Sequence, residues 1–392
     1  EKWAGSRAVV FREATSTSSW TVPATASMVT GLAVHQHGAY RYPASLPPAA
    51  KTLATYLRDA GYETHGLAEG AFLGPALGLD RGFDQYDWGG TAKEPDWKSI
   101  PEWVREHRRY GPFFLFLHTY LVHAPYPEAP DSEDARDPRV GWLARRAIDY
   151  EGVIDPYNQG KLDLGAQERD YISRQYDALA ARADGLLGDL LEGLDRELGD
   201  DERLLIVTAD HGEEIFEHER FGHGQSLYEE LLRVPLIVRF PGKSGGRFSP
   251  VRDEPVSLLD LVPTALEAAG IPVPEHLPGL PLFGSLPGRR VRVAETHVHA
   301  AVRLGSLKLI LGQWTDVRWT HAPEELYDLK TDPGERRNLA PEKPQTVRAM
   351  RGVLEHYRTL SLPGSATRPA SRKVDGSELE EMRGLGYLGG PH

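Results

Sequence analysis

Three apolar runs constrain the fold of this chain more than any other feature of its sequence. Residues 113–120 (FFLFLHTY), 203–209 (RLLIVTA) and 233–240 (RVPLIVRF) are almost continuously hydrophobic, and each has the length of one strand. Runs of this kind are typical of strands that are buried on both faces of a parallel sheet. Between the first two runs, hydrophobic residues recur every three or four positions over residues 172–198, which predicts a long amphipathic helix.

Strands that alternate with helices in this way predict an α/β fold, with a mostly parallel sheet sandwiched by helices. The pattern changes after about Gly284. Short alternating segments at 290–295, 301–304 and 308–311 predict a small antiparallel sheet, and residues 343–359 predict a helix that packs on it.

The chain therefore divides into three predicted parts. Residues 1–285 form the large α/β domain, residues 286–360 a smaller antiparallel α+β domain, and residues 361–392 a tail. The segment 129–165 is rich in Asp, Arg and Pro, and we predict that it is a long excursion on the surface of the large domain.

Composition excludes several classes of function. The chain has 45 Lys and Arg against 57 Asp and Glu, a net charge of −12, and such a balance gives no general attraction to nucleic acid or to an anionic membrane. There is no cysteine, which excludes disulfides, thiolate metal sites and a cysteine nucleophile. No apolar run reaches the length of about 18 residues that a membrane span needs.

Two residues at the end of a predicted strand are candidate metal ligands. Asp210 and His211 follow the run 203–209 directly, and Gly212 allows a tight turn after them. In open parallel sheets, ligands bind at the carboxyl ends of the strands. The alternative interpretation is that Asp210 caps the next helix and His211 is a structural neighbour.

Thr21 is the candidate nucleophile, because it precedes a helix that is predicted to begin near Ala24. A hydroxyl at this point faces the free amides and the positive end of the helix dipole, which stabilise an alkoxide or an anionic ester. The alternative is a threonine N-cap followed by Pro23 in the first turn.

Histidines supply the remaining candidates for acid–base chemistry. His118 lies in the run 113–120 and His123 follows it closely, and either could contact an anionic substrate or protonate a leaving group. His223 lies twelve residues after His211, between Gly222 and Gly224. These glycines would let His223 reach a site.

Other polar pairs are interpreted as structural. His35 and His37 are predicted to cap a helix end, and the acidic pair 200–201 is predicted to be a solvated turn. His297 and His299 alternate and would share one strand face, either as a second metal site or, as we prefer, as solvated surface.

The order and spacing of these motifs resemble the sulfatase family of the alkaline phosphatase superfamily. The similar segments are 18–38 (SSWTVPATASMVTGLAVHQHG), 116–126 (FLHTYLVHAPY), 207–213 (VTADHGE), 221–242 (FGHGQSLYEELLRVPLIVRFPG), 256–271 (VSLLDLVPTALEAAGI) and 325–340 (ELYDLKTDPGERRNLA). The resemblance implies an alkaline-phosphatase-like fold. It also implies that Thr21 is the nucleophile, Asp210 and His211 are metal ligands, His123 contacts the ester group, and His223 lies near the leaving-group oxygen.

The chain departs from the family pattern at the nucleophile. Sulfatases carry Cys or Ser in a C/S-x-P-x-R motif that is oxidised to formylglycine, whereas here Thr21 replaces that residue and Thr25 replaces the arginine. Threonine does not become formylglycine by that route, so none is expected. Threonine at this point resembles the nucleophile of the nucleotide pyrophosphatase and phosphodiesterase branch.

The implied cofactor is one divalent metal ion, held by Asp210, His211 and Thr21. An Asp-His pair recurs in phosphonate monoester hydrolases of the superfamily, and imidazole suits Zn²⁺ or Mn²⁺ better than Ca²⁺. The acidic strand end that opens the family's fold has no counterpart in this sequence, so we expect that an upstream segment with further carboxylate ligands is missing.

The expected activity is therefore hydrolysis of an anionic ester of sulfate, phosphate or phosphonate, in which metal-activated Thr21 displaces the leaving group. A phosphodiesterase, a phosphonate monoester hydrolase and a phospho-group transferase of the same superfamily are alternatives. A catalytically silent binding or structural member is an alternative of another class. The resemblance slightly favours a periplasmic or extracellular location.

Overall fold

The computed structural model describes residues 8–89, 97–107, 111–127, 129, 131–198, 203–242, 249–288, 290–312 and 322–359. Within these ranges the predicted fold class is confirmed: an α/β unit with mostly parallel strand pairs is followed by a small antiparallel sheet. None of the helices in the described part of the chain is both long and apolar enough to cross a bilayer.

The strands are two to seven residues long. They are β1 (Val9–Phe11), β2 (Ala14–Thr15), β3 (Glu63–Glu69), β4 (Gln85–Gly89), β5 (Phe113–His118), β6 (Leu205–Thr208), β7 (Glu214–Ile215), β8 (Phe221–Gly222), β9 (Leu236–Arg239), β10 (Val251–Arg252), β11 (Val256–Ser257), β12 (Val291–Glu295), β13 (His299–Leu304), β14 (Leu307–Gly312) and β15 (Glu324–Asp328).

The α-helices range from single turns to one of 33 residues. They are α1 (Thr21–Thr30), α2 (Val34–His37), α3 (Leu53–Asp59), α4 (Ile100–His107), α5 (Gly141–Ala144), α6 (Asp155–Asn158), α7 (Ala166–Leu198), α8 (Glu229–Leu232), α9 (Leu261–Ala268) and α10 (Pro344–Tyr357). The long helix predicted over residues 172–198 is confirmed as α7, which begins six residues earlier.

Besides the two-stranded pairs β2–β11 and β7–β8, the described part of the α/β unit has two larger sheets. In the first, the order is β4-β3-β5 and all strands are parallel. In the second, the order is β10-β1-β9-β6, and β9 runs antiparallel to both of its neighbours. The register pairs Thr208 with Leu236, so residues 209–235 leave and re-enter this sheet at one end. That segment carries three of the predicted site residues.

The prediction that residues 113–120 and 203–209 are buried on both faces is wrong. Every residue of β5 and of β6 is only partly buried, because each strand pairs with a single neighbour among the described residues. One face of both strands packs on α4 and α7, where Ile100, Val104 and Leu190 are buried. Apolar composition predicted the strands correctly, but it did not report their position at a sheet edge.

The segment 129–165 is not an excursion on the surface, as was predicted. It folds into α5, α6 and a π-helical turn, and these elements enclose their own core. Leu143, Ile148, Val153, Ile154 and Tyr157 are fully buried there and pack against the first turns of α7. Apolar residues scattered among the Asp, Arg and Pro form this core, so polar composition alone was misleading.

The C-terminal sheet has the order β12-β13-β14-β15 and is antiparallel throughout, as predicted. Its fourth strand, β15, was not predicted. The predicted final helix is confirmed as α10, which covers one sheet face with Val347, Met350 and Leu354. Buried ion pairs join this sheet to the α/β unit. In this interdomain seam, Lys308 and Arg303 contact Glu229, and Arg290 contacts Asp260.

Candidate active site

Thr21 is the first residue of α1, three positions before the predicted helix start. Trp20 is the N-cap in extended conformation, and it provides no side-chain cap for the first-turn amides. Thr21 is 1% exposed, so its hydroxyl lies in a buried environment at the positive end of the helix dipole. This position suits a hydroxyl that has to carry developing negative charge.

Asp210 and His211 begin the segment that leaves the sheet after β6. The turn that follows requires glycine, because a Cβ on Gly212 would lie 2.0 Å from the carbonyl oxygen of Glu230. The Gly212 amide donates to the Leu231 carbonyl at 2.8 Å, and the Ser16 hydroxyl donates to the Asp210 carbonyl. These backbone contacts fix the Asp-His pair against α8 and against the loop that precedes Thr21.

The structure brings the threonine and the Asp-His pair together. Thr21 Oγ1 lies 3.2 Å from His211 Nε2, and His211 Nε2 lies 3.5 Å from Asp210 Oδ2. His211 Nδ1 lies 2.7 Å from the Gly212 carbonyl oxygen, so Nδ1 carries the proton. His211 Nε2 therefore faces the hydroxyl and the carboxylate.

His223 and His123 extend this cluster. The ring of His223 lies 4.4 Å from that of His211, and the ring of His123 lies 4.9 Å from that of His223. Gly222 and Gly224, with φ of 104° and 85°, supply the left-handed backbone that turns His223 inward. The structure thus places all five residues that the sequence singled out in one region.

Glu213 and Tyr150 also belong to this site, although the sequence analysis gave neither a role. Both Glu213 Oε1 and the Tyr150 hydroxyl lie 2.9 Å from His223 Nδ1. Glu213 directly follows the Asp-His-Gly turn, and that adjacency was the available signal. Nothing in the sequence indicated Tyr150, because it lies in the segment 129–165.

Burial dominates the proton equilibria of the site. Together with the nearby ring of His223, it lowers the pKa of His123 to about 3, and it lowers the pKa of His223 well below the usual value. It raises the pKa of Glu213 to about 7. Both imidazoles are therefore neutral at neutral pH, and Glu213 and His223 can share a proton.

The residues at this site fit a divalent cation. Asp210 Oδ2 is buried and has no hydrogen-bond partner within the described residues. Burial alone would raise the pKa of Asp210, but His211 and His118 lower it below the usual value, which keeps the carboxylate charged. An anionic oxygen, an imidazole nitrogen and a hydroxyl that face one another form a suitable partial ligand set.

His118, the alternative to His123, ends β5 and approaches this carboxylate. Burial lowers the pKa of His118, and the charge of Asp210 opposes that effect. His118 Nδ1 is buried and, in the part of the chain described, has no hydrogen-bond partner. Two neutral histidines, His118 and His123, therefore lie at the carboxyl end of β5 or just beyond it.

The remaining polar pairs lie elsewhere. The prediction that His297 and His299 share a strand face is wrong, because His297 is exposed in a turn while His299 is buried at the start of β13. His37 Nε2 lies 3.0 Å from Ser27 Oγ inside the core, and His35 contacts Glu295 of the C-terminal sheet. The pair 200–201 lies outside the described residues.

Comparison with known proteins identifies the family. A profile of the sulfatase family matches residues 1–271, so the chain belongs to the sulfatase family. Similar curated proteins include arylsulfatase K of Xenopus laevis, 29% identical over 65% of this chain and 54% of its own length, and arylsulfatase K of Gallus gallus, 33% identical over 62% and 51%. The chain thus spans about half the length of these two relatives.

Solved structures share the fold. A putative sulfatase from Bacteroides thetaiotaomicron superposes with a TM-score of 0.68 at 21% identity, covering 91% of this chain and 86% of its own. A phosphonate monoester hydrolase from Silicibacter pomeroyi superposes with a TM-score of 0.69 at 19% identity, covering 95% and 94%. A third, with a TM-score of 0.67 at 18% identity over 92% of each chain, was solved with its substrate D-glucosamine-2-N,6-O-disulfate.

Proposed function

We propose that this chain carries the active site of a hydrolase of sulfate esters, in which the Thr21 hydroxyl is the nucleophile. The observation that carries the proposal is the 3.2 Å approach of Thr21 Oγ1 to His211 Nε2, beside a buried, charged Asp210. Membership of the sulfatase family supports the substrate class. The sulfated sugar bound by one structural neighbour is consistent with an anionic ester on a carbohydrate.

Asp210, His211 and the Thr21 hydroxyl would hold a divalent cation, for which the imidazole favours Zn²⁺ or Mn²⁺ over Ca²⁺. Such an ion lowers the pKa of a bound hydroxyl and neutralises the charge on the non-bridging ester oxygens. We expect no formylglycine at Thr21, because threonine stands where the family's oxidised Cys or Ser would be.

Each side chain of the site has a separate role in the proposed reaction. Thr21 Oγ1 gives its proton to solvent water and forms a bond to sulfur, while the bond from sulfur to the leaving-group oxygen breaks. The shared proton of Glu213 and His223 passes to that oxygen, and His123, beside His223, contacts the ester group. Water then attacks the sulfur of the sulfated threonine, and the bond from sulfur to Thr21 Oγ1 breaks. One proton of this water passes to Thr21 Oγ1 and the other to the Glu213–His223 pair, and sulfate leaves.

A second candidate activity is hydrolysis of phosphonate or phosphate esters. It is favoured by the nucleophile, since Thr21 attacks directly, as in the phosphodiesterase branch that the sequence resembles, and by the Asp-His pair. The fold is also shared with a phosphonate monoester hydrolase.

A substrate panel tests both candidates. Purified protein, metal-depleted and then supplied with Zn²⁺ or Mn²⁺, would be assayed on 4-nitrophenyl sulfate, 4-nitrophenyl phosphate and a 4-nitrophenyl phosphonate monoester, beside Asp210→Ala. We expect the highest kcat/KM on the sulfate and loss of all activities in Asp210→Ala. A higher kcat/KM on the phosphonate would select the second candidate. Turnover that Asp210→Ala leaves unchanged would contradict both.

A further inference from the structure

A second group of metal-ligating side chains lies at the opposite end of the first sheet. Glu63 and His65 belong to the amino end of β3, and His107 is the last residue of α4. The active site is at the carboxyl end of the same sheet, since β3 and β5 run parallel and His118 ends β5. The group is therefore separate from the residues of the proposed function.

The sequence places these side chains together for a simple reason. Glu63 and His65 are two positions apart on a strand, so their side chains point to the same face. Helix α4 covers that face with Trp103, whose ring lies 4.5 Å from that of His65 and 4.0 Å from that of His107. Trp103 and His107 are four positions apart and hence neighbours on one side of the helix.

The ligand atoms are close enough to share one ion. Glu63 Oε1 lies 2.9 Å from His65 Nε2 and 4.0 Å from His107 Nε2, and all three atoms lie within 4.8 Å of one another. Zinc bonds of about 2.0–2.2 Å require ligand atoms roughly 3–4 Å apart, so small side-chain rotations suffice.

A hydrogen bond outside this group orients one of the ligands. His107 Nδ1 lies 2.8 Å from the Trp103 carbonyl oxygen and donates its proton to it. The lone pair of His107 Nε2 is thereby turned toward Glu63 and His65. Metal-binding histidines usually make such a bond to a carbonyl or carboxylate through the nitrogen that does not bind the metal.

The geometry points to a Zn²⁺ site formed by Glu63, His65 and His107, with water as the fourth ligand. Two imidazoles and one carboxylate are a zinc ligand set rather than a calcium one. The His65 side chain is 6% exposed, but those of His107 and Glu63 are 25% and 34% exposed, so an ion can enter from solvent. Bound zinc would join the amino end of β3 to the end of α4.

A second cluster consists of Glu214, His218 and Glu230, whose ligand atoms also lie within 4.8 Å of one another. It lacks an imidazole nitrogen that is available to a metal. His218 Nδ1 contacts Glu230 at 2.5 Å, and His218 Nε2 contacts the Glu335 carbonyl oxygen at 3.3 Å. Both ring nitrogens are therefore engaged within the protein, which is typical of a charged histidine in an ion pair.

The test measures zinc binding after the proposed metal ligands Asp210 and His211 of the active site have been removed. In an Asp210→Ala/His211→Ala background, the untagged protein would be stripped with chelator and titrated calorimetrically with Zn²⁺. We expect one bound ion per chain and a raised Tm. Adding His107→Gln should weaken binding by more than the roughly 10–100-fold that loss of an outer partner costs. Adding His356→Gln, an exposed histidine on α10, is the matched control and should change nothing.

Two results would overturn the site. One is zinc binding that His107→Gln leaves at full strength, and the other is a folded background protein that binds no zinc. Because His107 is partly exposed at a helix end, His107→Gln should remain folded, and circular dichroism checks this directly. His107→Gln in the otherwise unchanged protein should retain ester hydrolysis, so failure of this proposal is distinguishable from failure of the proposed function.

Discussion

Two regions of this molecule bury polar side chains, and they differ in how those side chains are paired. In the interdomain seam, Lys308 Nζ lies 2.9 Å from a carboxylate oxygen of Glu229 and of Glu335. The Asp260 carboxylate accepts two hydrogen bonds of 2.8 Å from the Arg290 guanidinium. In the active site, Asp210 Oδ2 and His118 Nδ1 are buried without a hydrogen-bond partner among the described residues.

The region around the nucleophile resembles the active site in having buried polar side chains without partners. The hydroxyls of Thr17, Ser18, Ser19 and Thr25 are buried and, within the described ranges, have no partner. Each unpaired buried polar group costs about 1–3 kcal/mol. The paired side chains of the seam stabilise one arrangement of the two domains. The unpaired polar side chains beside the charged Asp210 are available to bind a ligand. This difference separates the structural site from the functional one.

The largest effect should come from the nucleophile. Thr21→Ala is expected to lower kcat by on the order of 10³-fold or more, because it removes the oxygen atom that attacks sulfur. The Tm should change little, since alanine is well tolerated in a helix and the contact of Oγ1 with His211 Nε2 is lost rather than an ion pair of the seam. Steady-state kinetics and a thermal melt measure the two quantities, with Thr21→Ser as the control that keeps a hydroxyl. A large drop in Tm would show instead that Thr21, like the residues of the seam, stabilises the fold.

Removal of a seam cation should show the opposite behaviour. Lys308→Met leaves Glu229 and Glu335 buried without this partner and should destabilise the protein by roughly 3–5 kcal/mol. Burial alone would lower the pKa of Lys308, but the two carboxylates raise it above its usual value. Urea unfolding measures the loss, and kcat per folded molecule should not change. The control is Arg337→Met, which breaks an exposed ion pair with Glu342 and should cost less than about 1 kcal/mol.

The leaving-group residue gives a graded test. His223→Ala should lower the turnover of phenyl sulfate by about 10²–10⁴-fold, because phenolate is a poor leaving group that needs a proton in order to depart. The same variant should lose far less activity on 4-nitrophenyl sulfate, whose leaving group departs without one. Equal losses on the two esters would show that His223 acts in binding rather than as an acid.

The smallest effect concerns a buried histidine outside both regions. Burial lowers the pKa of His37 to about 3, against about 6.5 in the unfolded chain. Below pH 6.5 the unfolded state therefore binds a proton that the folded state does not, and stability falls as the pH drops toward 3. His37→Gln should make this fall shallower by up to about 1.4 kcal/mol per pH unit. Urea unfolding at pH 4, 5, 6 and 7 measures the slope, and equal slopes would contradict the assignment.

Features with a local signal were predictable from the sequence. The periodic stripe of α7 and the alternating strands of the C-terminal sheet were predicted correctly, because periodicity reports which face is buried. The meeting of Thr21 with Asp210 and His211 was also anticipated, since strand ends and a helix start converge at one edge of such a sheet.

Features that depend on distant neighbours were not predictable. Half-burial of β5 and β6 depends on which strands lie beside them, and the antiparallel direction of β9 depends on the route of residues 209–235. Tyr150 reaches His223 only because the segment 129–165 folds onto the site. No composition or spacing rule reports such contacts.

Catalysis by this site requires that the Thr21 hydroxyl becomes covalently bonded to the substrate's sulfur. Rapid acid quenching during turnover of an aryl sulfate, followed by peptide mass mapping, tests this directly. The prediction is a sulfate group on the peptide that contains Thr21, absent from the Thr21→Ala protein. Turnover without any label on that peptide, or a label on a different residue, would contradict the central claim.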